Sequence, residues 1–218
     1  MSTVIEVRDA EKRYRGNTLF AGANFDIRRG VTYALRGPNG SGKSVLLQML
    51  CRIVVPDRGS VTIDKAYLDK GRVYPDRFGV TIDGPAYLSH VSGYANLLDL
   101  ARVKGRIGPE EIAGSMKSFG LDPNNKKPVR TYSTGMKQKL ALCQATMEDQ
   151  DVLILDEPFN GLDASSTESL ISRLQDYKSA GKTIILTSHE SAHLRALADQ
   201  TLTIDAETVT LTEEAPNL

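Results

Sequence analysis

Two segments of the chain have residue types and spacings that could carry out phosphate chemistry. The first, at residues 37–44, fits the pattern G-x-x-x-x-G-K-[ST] and lies between an apolar run and a helical pattern. Its glycines let successive backbone N–H groups converge on a phosphate chain, and the following helix directs its positive end at the same point. This candidate phosphate loop consists of Gly37, Pro38, Asn39, Gly40, Ser41, Gly42, Lys43 and Ser44, and we include the adjacent Val45 in the binding set.

Two side chains of the phosphate loop have specific expected tasks. Lys43 adds a full positive charge near the outer phosphates, and Ser44 is expected to place its hydroxyl on Mg²⁺. A glycine-rich turn between a strand and a helix would be the purely structural alternative. All four fixed positions of the pattern are matched in the right context, so the segment predicts nucleotide binding without identifying the base.

The second segment is a pair of carboxylates that follows a buried type of strand. Residues 152–155 read Val-Leu-Ile-Leu, and Asp156 and Glu157 come directly after them. Ligand groups of open parallel sheets lie at the carboxyl ends of strands, so we expect this pair to meet the phosphate loop in space. Asp156 is then expected to hold Mg²⁺ through water, and Glu157 to orient or deprotonate the attacking water. Capping of the next segment is the structural alternative, but two adjacent acids favour hydrolysis over storage.

Hydrophobic periodicity predicts the elements that position these residues. Residues 2–8 alternate apolar and polar and predict a first strand, and residues 25–27 and 31–35 predict two more. Residues 44–53 are apolar nearly all round and predict a buried helix. From residue 152 onward, apolar strands alternate with helical patterns, which is typical of a parallel sheet covered on both faces.

The middle of the chain, residues 92–147, has a helical pattern with interruptions at 105–109 and 123–128. We therefore predict an α/β fold: a P-loop NTPase core with a mostly parallel sheet, an N-terminal antiparallel β portion and an inserted helical lobe. The prediction is one domain over residues 1–218, with the core formed by 1–82 and 146–218 and the lobe by 83–145.

Composition limits the possible partners. Of the 218 residues, 27 are basic and 27 acidic, so no net charge points to nucleic acid, and we predict no nucleic-acid partner. No run approaches the roughly 20 apolar residues that span a bilayer, so any membrane crossing would belong to another chain. Cys51 and Cys143 lie in apolar helical stretches and predict reduced, structural thiols of a cytosolic protein.

The order of these motifs resembles the nucleotide-binding subunit of ATP-binding-cassette transporters over nearly the whole chain. Residues 132–138, Tyr-Ser-Thr-Gly-Met-Lys-Gln, resemble the signature motif of that family, usually Leu-Ser-Gly-Gly-Gln, with Tyr, Thr and Met at three of its five positions. Ser133, Thr134 and Gly135 then begin a predicted helix, whose free N–H groups can face an anion. Alone, this segment would be an ordinary helix cap. The resemblance implies that it binds ATP held by a second copy, and the Gly-Met-Lys-Gln variant favours an exporter over an importer.

Other positions match the family one by one. Tyr14 resembles the aromatic residue that stacks on adenine, with an exposed strand-end tyrosine as the alternative. Residues 160–163 resemble the loop that crosses the dimer interface, and Asp163 also suits a helix cap. His189 resembles the switch histidine that contacts the outer phosphate. His90 and His193 have no such context and receive no role.

One position departs from the family pattern. Where the family usually has Gln or Glu at the connection to the lobe, this chain has Asp83. Its side chain is one methylene shorter than that of Glu, so contact with Mg²⁺ would require a water molecule or a movement of the loop. Residues 84–88 are predicted to face a transmembrane partner, and a plain surface loop explains them almost as well.

The resemblance implies a function for the whole chain. It implies an ATP-binding and ATP-hydrolysing subunit that uses Mg²⁺, with Lys43, Glu157 and His189 as catalytic residues. Two such subunits, identical or closely related, would pair head to tail and power a separate transmembrane permease from the cytoplasmic face of the cell membrane. A soluble ATPase of the same family in cofactor assembly remains an alternative. A long heptad insertion expected for DNA maintenance is absent from the sequence, and an ATP clamp without turnover or a GTPase fits the motifs less well.

Overall fold

Nine strands and six α-helices form the regular structure of residues 2–14, 16–68, 74–84 and 87–213, which the computed structural model describes. The strands are β1 (Thr3–Tyr14), β2 (Asn17–Arg28), β3 (Thr32–Arg36), β4 (Arg58–Ile63), β5 (Phe78–Thr81), β6 (Val152–Leu155), β7 (Thr183–Leu186), β8 (Gln200–Asp205) and β9 (Thr208–Thr212). The helices are α1 (Lys43–Leu50), α2 (Gly93–Lys104), α3 (Pro109–Ser118), α4 (Thr134–Thr146), α5 (Ala164–Ser179) and α6 (Ser191–Leu197).

The strands form two sheets. The smaller sheet is antiparallel, with the order β2-β1-β4. The larger has the order β5-β6-β7-β3-β8-β9, and all its neighbouring strands are parallel except β8 and β9. The predicted α/β fold, with a mostly parallel sheet, an N-terminal antiparallel portion and helices between the two halves of the core, is confirmed.

The central strands are apolar throughout because both faces of the larger sheet are covered. All four residues of β6 are buried, and they alternate between two hydrophobic clusters. Val152 and Ile154 pack in the cluster that contains α1 and the antiparallel sheet, whereas Leu153 and Leu155 pack in the cluster that contains α5 and α6. A continuous apolar strand is therefore what this position in the sheet requires.

Element boundaries differ from the sequence prediction in several places, among them strand β2, which begins at Asn17 although the sequence predicted only residues 25–27. The first strand continues to Tyr14 because β1 pairs with β2 along most of its length. Helix α1 ends at Leu50, three residues before the predicted end. Strand β9 was not predicted; its position is fixed by antiparallel pairing with β8, a tertiary contact that a short alternating segment does not specify alone.

Helices α2, α3 and α4 share a hydrophobic cluster of their own, which includes Leu97, Ile112, Met116 and Cys143. The lobe boundaries at residues 83 and 145 stay a prediction.

Cys51 and Cys143 are both buried and free, and burial raises the pKa of each thiol to about 12. Both thiols are therefore protonated near neutral pH, as structural cysteines should be.

Among the helices of the described residues, none combines the length and apolar character that crossing a bilayer requires.

An ionic cluster around the buried carboxylate of Asp76 joins α2 to the segment that precedes β5. Asp76, 5% exposed, precedes β5 and forms ion pairs with Lys104 at the end of α2 and with Arg106. Lys104 Nζ also lies 3.4 Å from the carboxylate of Glu148, which follows α4. Burial raises the pKa of Asp76, but hydrogen bonds from Arg106 and Lys104 outweigh it, and the net shift is downward.

We predict that Asp76→Asn lowers the free energy of unfolding by about 2 kcal/mol at pH 7, because two cations lose their buried carboxylate. Since the pKa of Asp76 is depressed in the folded state, its contribution is complete above the unfolded-state pKa of about 4 and is lost as the pH falls below it. Urea unfolding of the variant and the wild type between pH 7 and about pH 3.5, just below the unfolded-state pKa, measures this difference.

Asp99→Asn is the matched control, since Asp99 forms an exposed pair with Arg102 at 3.1 Å. It should change the free energy of unfolding by less than about 0.5 kcal/mol at any pH. Equal losses for the two variants would contradict the assignment of a stabilising role to the Asp76 cluster.

Candidate functional site

One cavity of about 380 Å³ brings together side chains from distant parts of the sequence. It lies at the edge of the larger sheet where the carboxyl ends of β3, β6 and β7 meet, as expected for adjacent parallel strands. The described residues that line it are Tyr14, Leu19, Asn39, Gly40, Gly42, Lys43, Ser44, Val45, Asp156, Glu157 and His189. The phosphate loop and the acidic pair therefore lie side by side, as the sequence predicted.

The phosphate loop connects β3 to α1. Gly42 is the N-cap of α1 with φ 95°, a left-handed conformation that favours glycine, and no side chain caps this helix. Lys43 Nζ donates hydrogen bonds to the carbonyl oxygens of Gly37 at 2.8 Å and Pro38 at 3.1 Å. Among the described residues, the buried Oγ of Ser41 has no hydrogen-bond partner. The loop thus offers free donors and a cation to an anionic ligand.

Ser44 and Asp156 form the part of the site that suits a magnesium ion. Ser44 Oγ donates to Asp156 Oδ2 at 2.6 Å, and Thr187 Oγ1 donates to Asp156 Oδ1 at 2.7 Å. Hydroxyl and carboxylate oxygens are the ligands that Mg²⁺ takes in nucleotide sites. The donor set therefore fits the ion that the sequence predicted, with Ser44 and Asp156 as the residues that could hold it.

Glu157 is fixed from both sides in a conformation that is uncommon for this residue type. Its φ is 48°, and its N–H donates to Thr187 Oγ1 at 2.7 Å. Gln138 Nε2 donates to the carbonyl oxygens of Glu157 at 3.4 Å and Pro158 at 3.0 Å. The carboxylate of Glu157 accepts the backbone N–H of His189 at 3.2 Å, and His189 Nε2 lies 3.5 Å from Glu157 Oε1. The contacts from Thr187 and Gln138 hold Glu157 in this left-handed conformation.

Tyr14 lies at the outer end of the cavity. It is the last residue of β1, and its side chain is 56% exposed. A large aromatic surface that lines a cavity and also faces solvent is suited to stacking on a nucleotide base. Tyr14 therefore lines the same cavity as the phosphate loop, and its stacking on adenine stays a prediction.

Asp83 occupies a different place from the other predicted metal ligands. It follows β5 with φ 57°, and its carboxylate accepts a short hydrogen bond from Gln48 of α1. It is not among the described residues that line the cavity. Part of the predicted partner-facing segment, Pro85 and Ala86, lies outside the described residues.

The signature segment begins helix α4 and is separate from this cavity. Ser133 is the N-cap of α4, and its Oγ accepts the N–H of Met136 at 3.2 Å. Ser133 and Thr134 are exposed, and neither belongs to the described lining of the cavity. A Cβ atom added to Gly135 would lie only 2.7 Å from the carbonyl oxygen of Gly161, so the segment packs directly on the loop at residues 160–163.

Asp163 caps helix α5, as its sequence position predicted. Its carboxylate accepts the N–H of Ser166 at 2.8 Å and the hydroxyl of Ser165 at 3.1 Å. Hydrogen bonds from Ser166, through its side chain and backbone, and from Ser165 lower the pKa of Asp163. The loop that touches Gly135 is therefore anchored at its far end.

Two residues that hydrogen-bond to site residues were missed from the sequence, as was Leu19, which lines the cavity. Thr187 bonds both Asp156 and Glu157, and its position after β7, the neighbour of β6, could have indicated it. Gln138 is 8% exposed and holds the backbone of Glu157 from α4. Only its place in an otherwise apolar face of α4 distinguishes it in the sequence, and this signal does not identify a target.

Comparisons with known proteins show the family. A family model described as ABC transporter matches residues 20–160. The uncharacterised ABC transporter ATP-binding protein YybJ of Bacillus subtilis (strain 168) is 34% identical over 196 residues, which cover 90% of each chain. The lantibiotic transport ATP-binding protein SrtF of Streptococcus pyogenes is 32% identical over 200 residues, 90% of this chain and 84% of the relative.

A solved structure of the ATP-binding subunit of an ABC transporter has a TM-score of 0.84 at 26% identity, covering 97% of this chain and 90% of that one. The chain therefore belongs to the ABC transporter family. It is an ATP-binding, ATP-hydrolysing subunit of an ABC transporter, and the predicted family and activity are confirmed.

We predict that Gly135→Ala lowers ATP turnover by at least about tenfold, because the new methyl group displaces the loop at residues 160–163 from its place beside the signature segment. Steady-state phosphate release measures the effect, and the melting temperature reports whether the fold survives.

Gly114→Ala is the matched control, because Gly114 lies in α3 and an added Cβ meets no atom within 4 Å. Alanine in a helix interior is favoured over glycine by up to about 1 kcal/mol, so this variant should keep full turnover and stability. Normal turnover of Gly135→Ala would show that the close approach to Gly161 has no bearing on hydrolysis.

Proposed function

We propose that two nucleotide-binding subunits pair head to tail and hold two ATP molecules between them. One observation carries this proposal: Tyr14, Lys43, Asp156, Glu157 and His189 line one cavity, whereas the signature segment is exposed elsewhere on the same chain. A single copy thus offers phosphate-binding groups on two surfaces. Each ATP bound by residues 37–45 of one copy would be covered by the start of α4 of the other, at Ser133, Thr134 and Gly135.

The site residues have distinct tasks in this proposal. Tyr14 stacks on the adenine, and the phosphate loop binds the phosphates through backbone N–H groups and Lys43. Glu157 orients the attacking water and accepts its proton, while Lys43 and His189 stabilise the charge that develops on the outer phosphate. Mg²⁺, when bound by Ser44 and Asp156, supplies further charge stabilisation; for Asp83 to contribute, the loop would have to move or a water molecule intervene.

Binding and hydrolysis would then change the pairing of the two copies. Because the outer phosphate contacts both chains, ATP favours the closed pair over the open one, and loss of that phosphate removes the link. The contact between Gly135 and Gly161 supports a coupling of the two sites, since it joins the signature segment of each copy to the loop that follows its own Glu157.

We infer that the work of this cycle is transport by a separate transmembrane permease, with the subunit at the cytoplasmic face of the membrane. Similarity to a lantibiotic transport ATP-binding protein and the Gly-Met-Lys-Gln sequence at residues 135–138 support export. The same similarity favours transport over cofactor assembly by a soluble relative. Co-purification of the tagged chain with a polytopic membrane protein supports this inference, and recovery only with soluble assembly proteins contradicts it.

Glu157→Gln should lower ATP turnover by about 10² or more while leaving ATP binding intact, because the amide cannot accept the proton of the attacking water. The variant should therefore accumulate as a dimer in ATP and return to monomer when ATP is removed. Size-exclusion chromatography with phosphate release measures both effects.

Glu168→Gln, a change on the exposed side of α5, is the control and should behave as the wild type. Wild-type turnover of Glu157→Gln would remove this residue from the mechanism. A slow variant that stays monomeric in ATP would contradict the paired site.

A further inference from the structure

The turn that carries His189 is held by contacts through His193, a residue with no role assigned from the sequence. Ser188 Oγ lies 3.1 Å from His193 Nδ1, and His193 Nε2 lies 3.4 Å from Glu190 Oε2. The backbone N–H of Glu190 donates to Ser188 Oγ at 3.1 Å. The three residues therefore form a closed set of contacts around His189, which we name the Ser188–Glu190–His193 brace.

The direction of the hydrogen bonds in the brace follows from the partner groups. A carboxylate accepts hydrogen bonds and donates none, so Glu190 favours the tautomer of His193 with hydrogen on Nε2. Nδ1 of the neutral ring is then an acceptor, and the hydroxyl of Ser188 donates to it. Since Ser188 Oγ also accepts the N–H of Glu190, its orientation is fixed by two partners.

The brace is adjacent to the residues that we propose act on the outer phosphate. Ser188 lines a second cavity of about 470 Å³ together with Lys43, Glu157 and His189. The backbone N–H of His189, the residue after Ser188, donates to the carboxylate of Glu157. A displacement of Ser188 would therefore move a group that holds Glu157.

The ring of His193 also supports the segment on the other side of Glu157. Its side chain is 11% exposed and packs on the ring of Phe159, with centroids 4.2 Å apart and planes inclined by 40°. Phe159 is buried and lies two residues after Glu157. His193 thus contacts the turn that donates to the Glu157 carboxylate, through Ser188, and the segment that follows Glu157, through Phe159.

We propose that His193 is a positioning residue for ATP hydrolysis, which acts by holding Ser188 and so the turn that presents His189 to Glu157. The proposal rests on the proposed function, because it takes Glu157 as the group that orients the attacking water. Because His193 lies outside the described lining of both cavities, we expect its loss to leave ATP binding unchanged. The effect on turnover would arise through its contact with Ser188.

Two substitutions at this position separate the polar contacts from the packing. His193→Leu keeps an apolar contact with Phe159 but removes both polar contacts. His193→Gln restores an acceptor for Ser188 through its amide oxygen and a donor toward Glu190 through its nitrogen. Measured by steady-state phosphate release, His193→Leu should lower kcat about tenfold with KM for ATP within about twofold of wild type. His193→Gln should recover most of the wild-type kcat.

Two further variants complete the test. Ser188→Ala removes the other end of the same hydrogen bond, and it should reproduce the loss of kcat even where His193→Leu fails to fold. His90→Gln changes an exposed histidine and should leave kcat and KM unchanged. Equal loss in His193→Leu and His193→Gln, or wild-type kcat in Ser188→Ala, overturns the proposal.

Glu157→Gln, assayed in parallel, separates this proposal from the proposed function. Wild-type turnover of Glu157→Gln means that the proposed function itself has failed. Slow turnover of Glu157→Gln combined with wild-type kcat in His193→Leu and Ser188→Ala means that only the positioning role of His193 is wrong.

Discussion

The parallel pairing of β6, β7 and β3 is the constraint on which the site depends. These three strands are neighbours in the sheet, so the segments that leave their carboxyl ends emerge side by side. The phosphate loop follows β3, Asp156 and Glu157 follow β6, and Thr187 and His189 follow β7. The hydrogen bonds from Ser44 and Thr187 to Asp156 then join the three segments. Because each strand is buried on both faces, this arrangement is held by the hydrophobic core.

A second constraint is that one chain presents its phosphate loop and its signature segment in different places. The signature segment is fixed at the start of α4 by the Ser133 cap and by the contact of Gly135 with Gly161. The same helix reaches the backbone of Glu157 through Gln138. Helix α4 therefore connects the signature segment, which we propose faces another copy, with the backbone of Glu157, the residue proposed to orient water.

Site residues could be predicted from the sequence where a local motif also determines where its residues lie in the fold. The spacing of Gly37, Gly42, Lys43 and Ser44 defines a loop between a strand and a helix, and an apolar strand ending in Asp156 and Glu157 must point to the same edge of the sheet. These features predicted the cavity and most of its lining.

Residues whose role depends on a tertiary contact were not predictable in the same way. His193 and Gln138 have targets that lie across a turn or are distant in sequence, and no spacing rule identifies them. Thr187 could have been indicated only by its position after β7, the neighbour of β6. Strand β9 was missed for the same reason, because its pairing with β8 defines it. Asp83 shows the reverse case: its sequence position suggested a metal ligand, whereas its side chain bonds Gln48 of α1.

The claim that the ATP site is shared between two copies is tested most directly by mixing two inactive variants. Lys43→Ala disables the phosphate loop and leaves the signature segment intact, and Ser133→Phe does the opposite. In a mixed dimer, the intact loop of one copy meets the intact signature of the other, so phosphate release from the mixture should rise well above the sum of the separate variants. A mixture no more active than that sum would show that each chain builds its site alone.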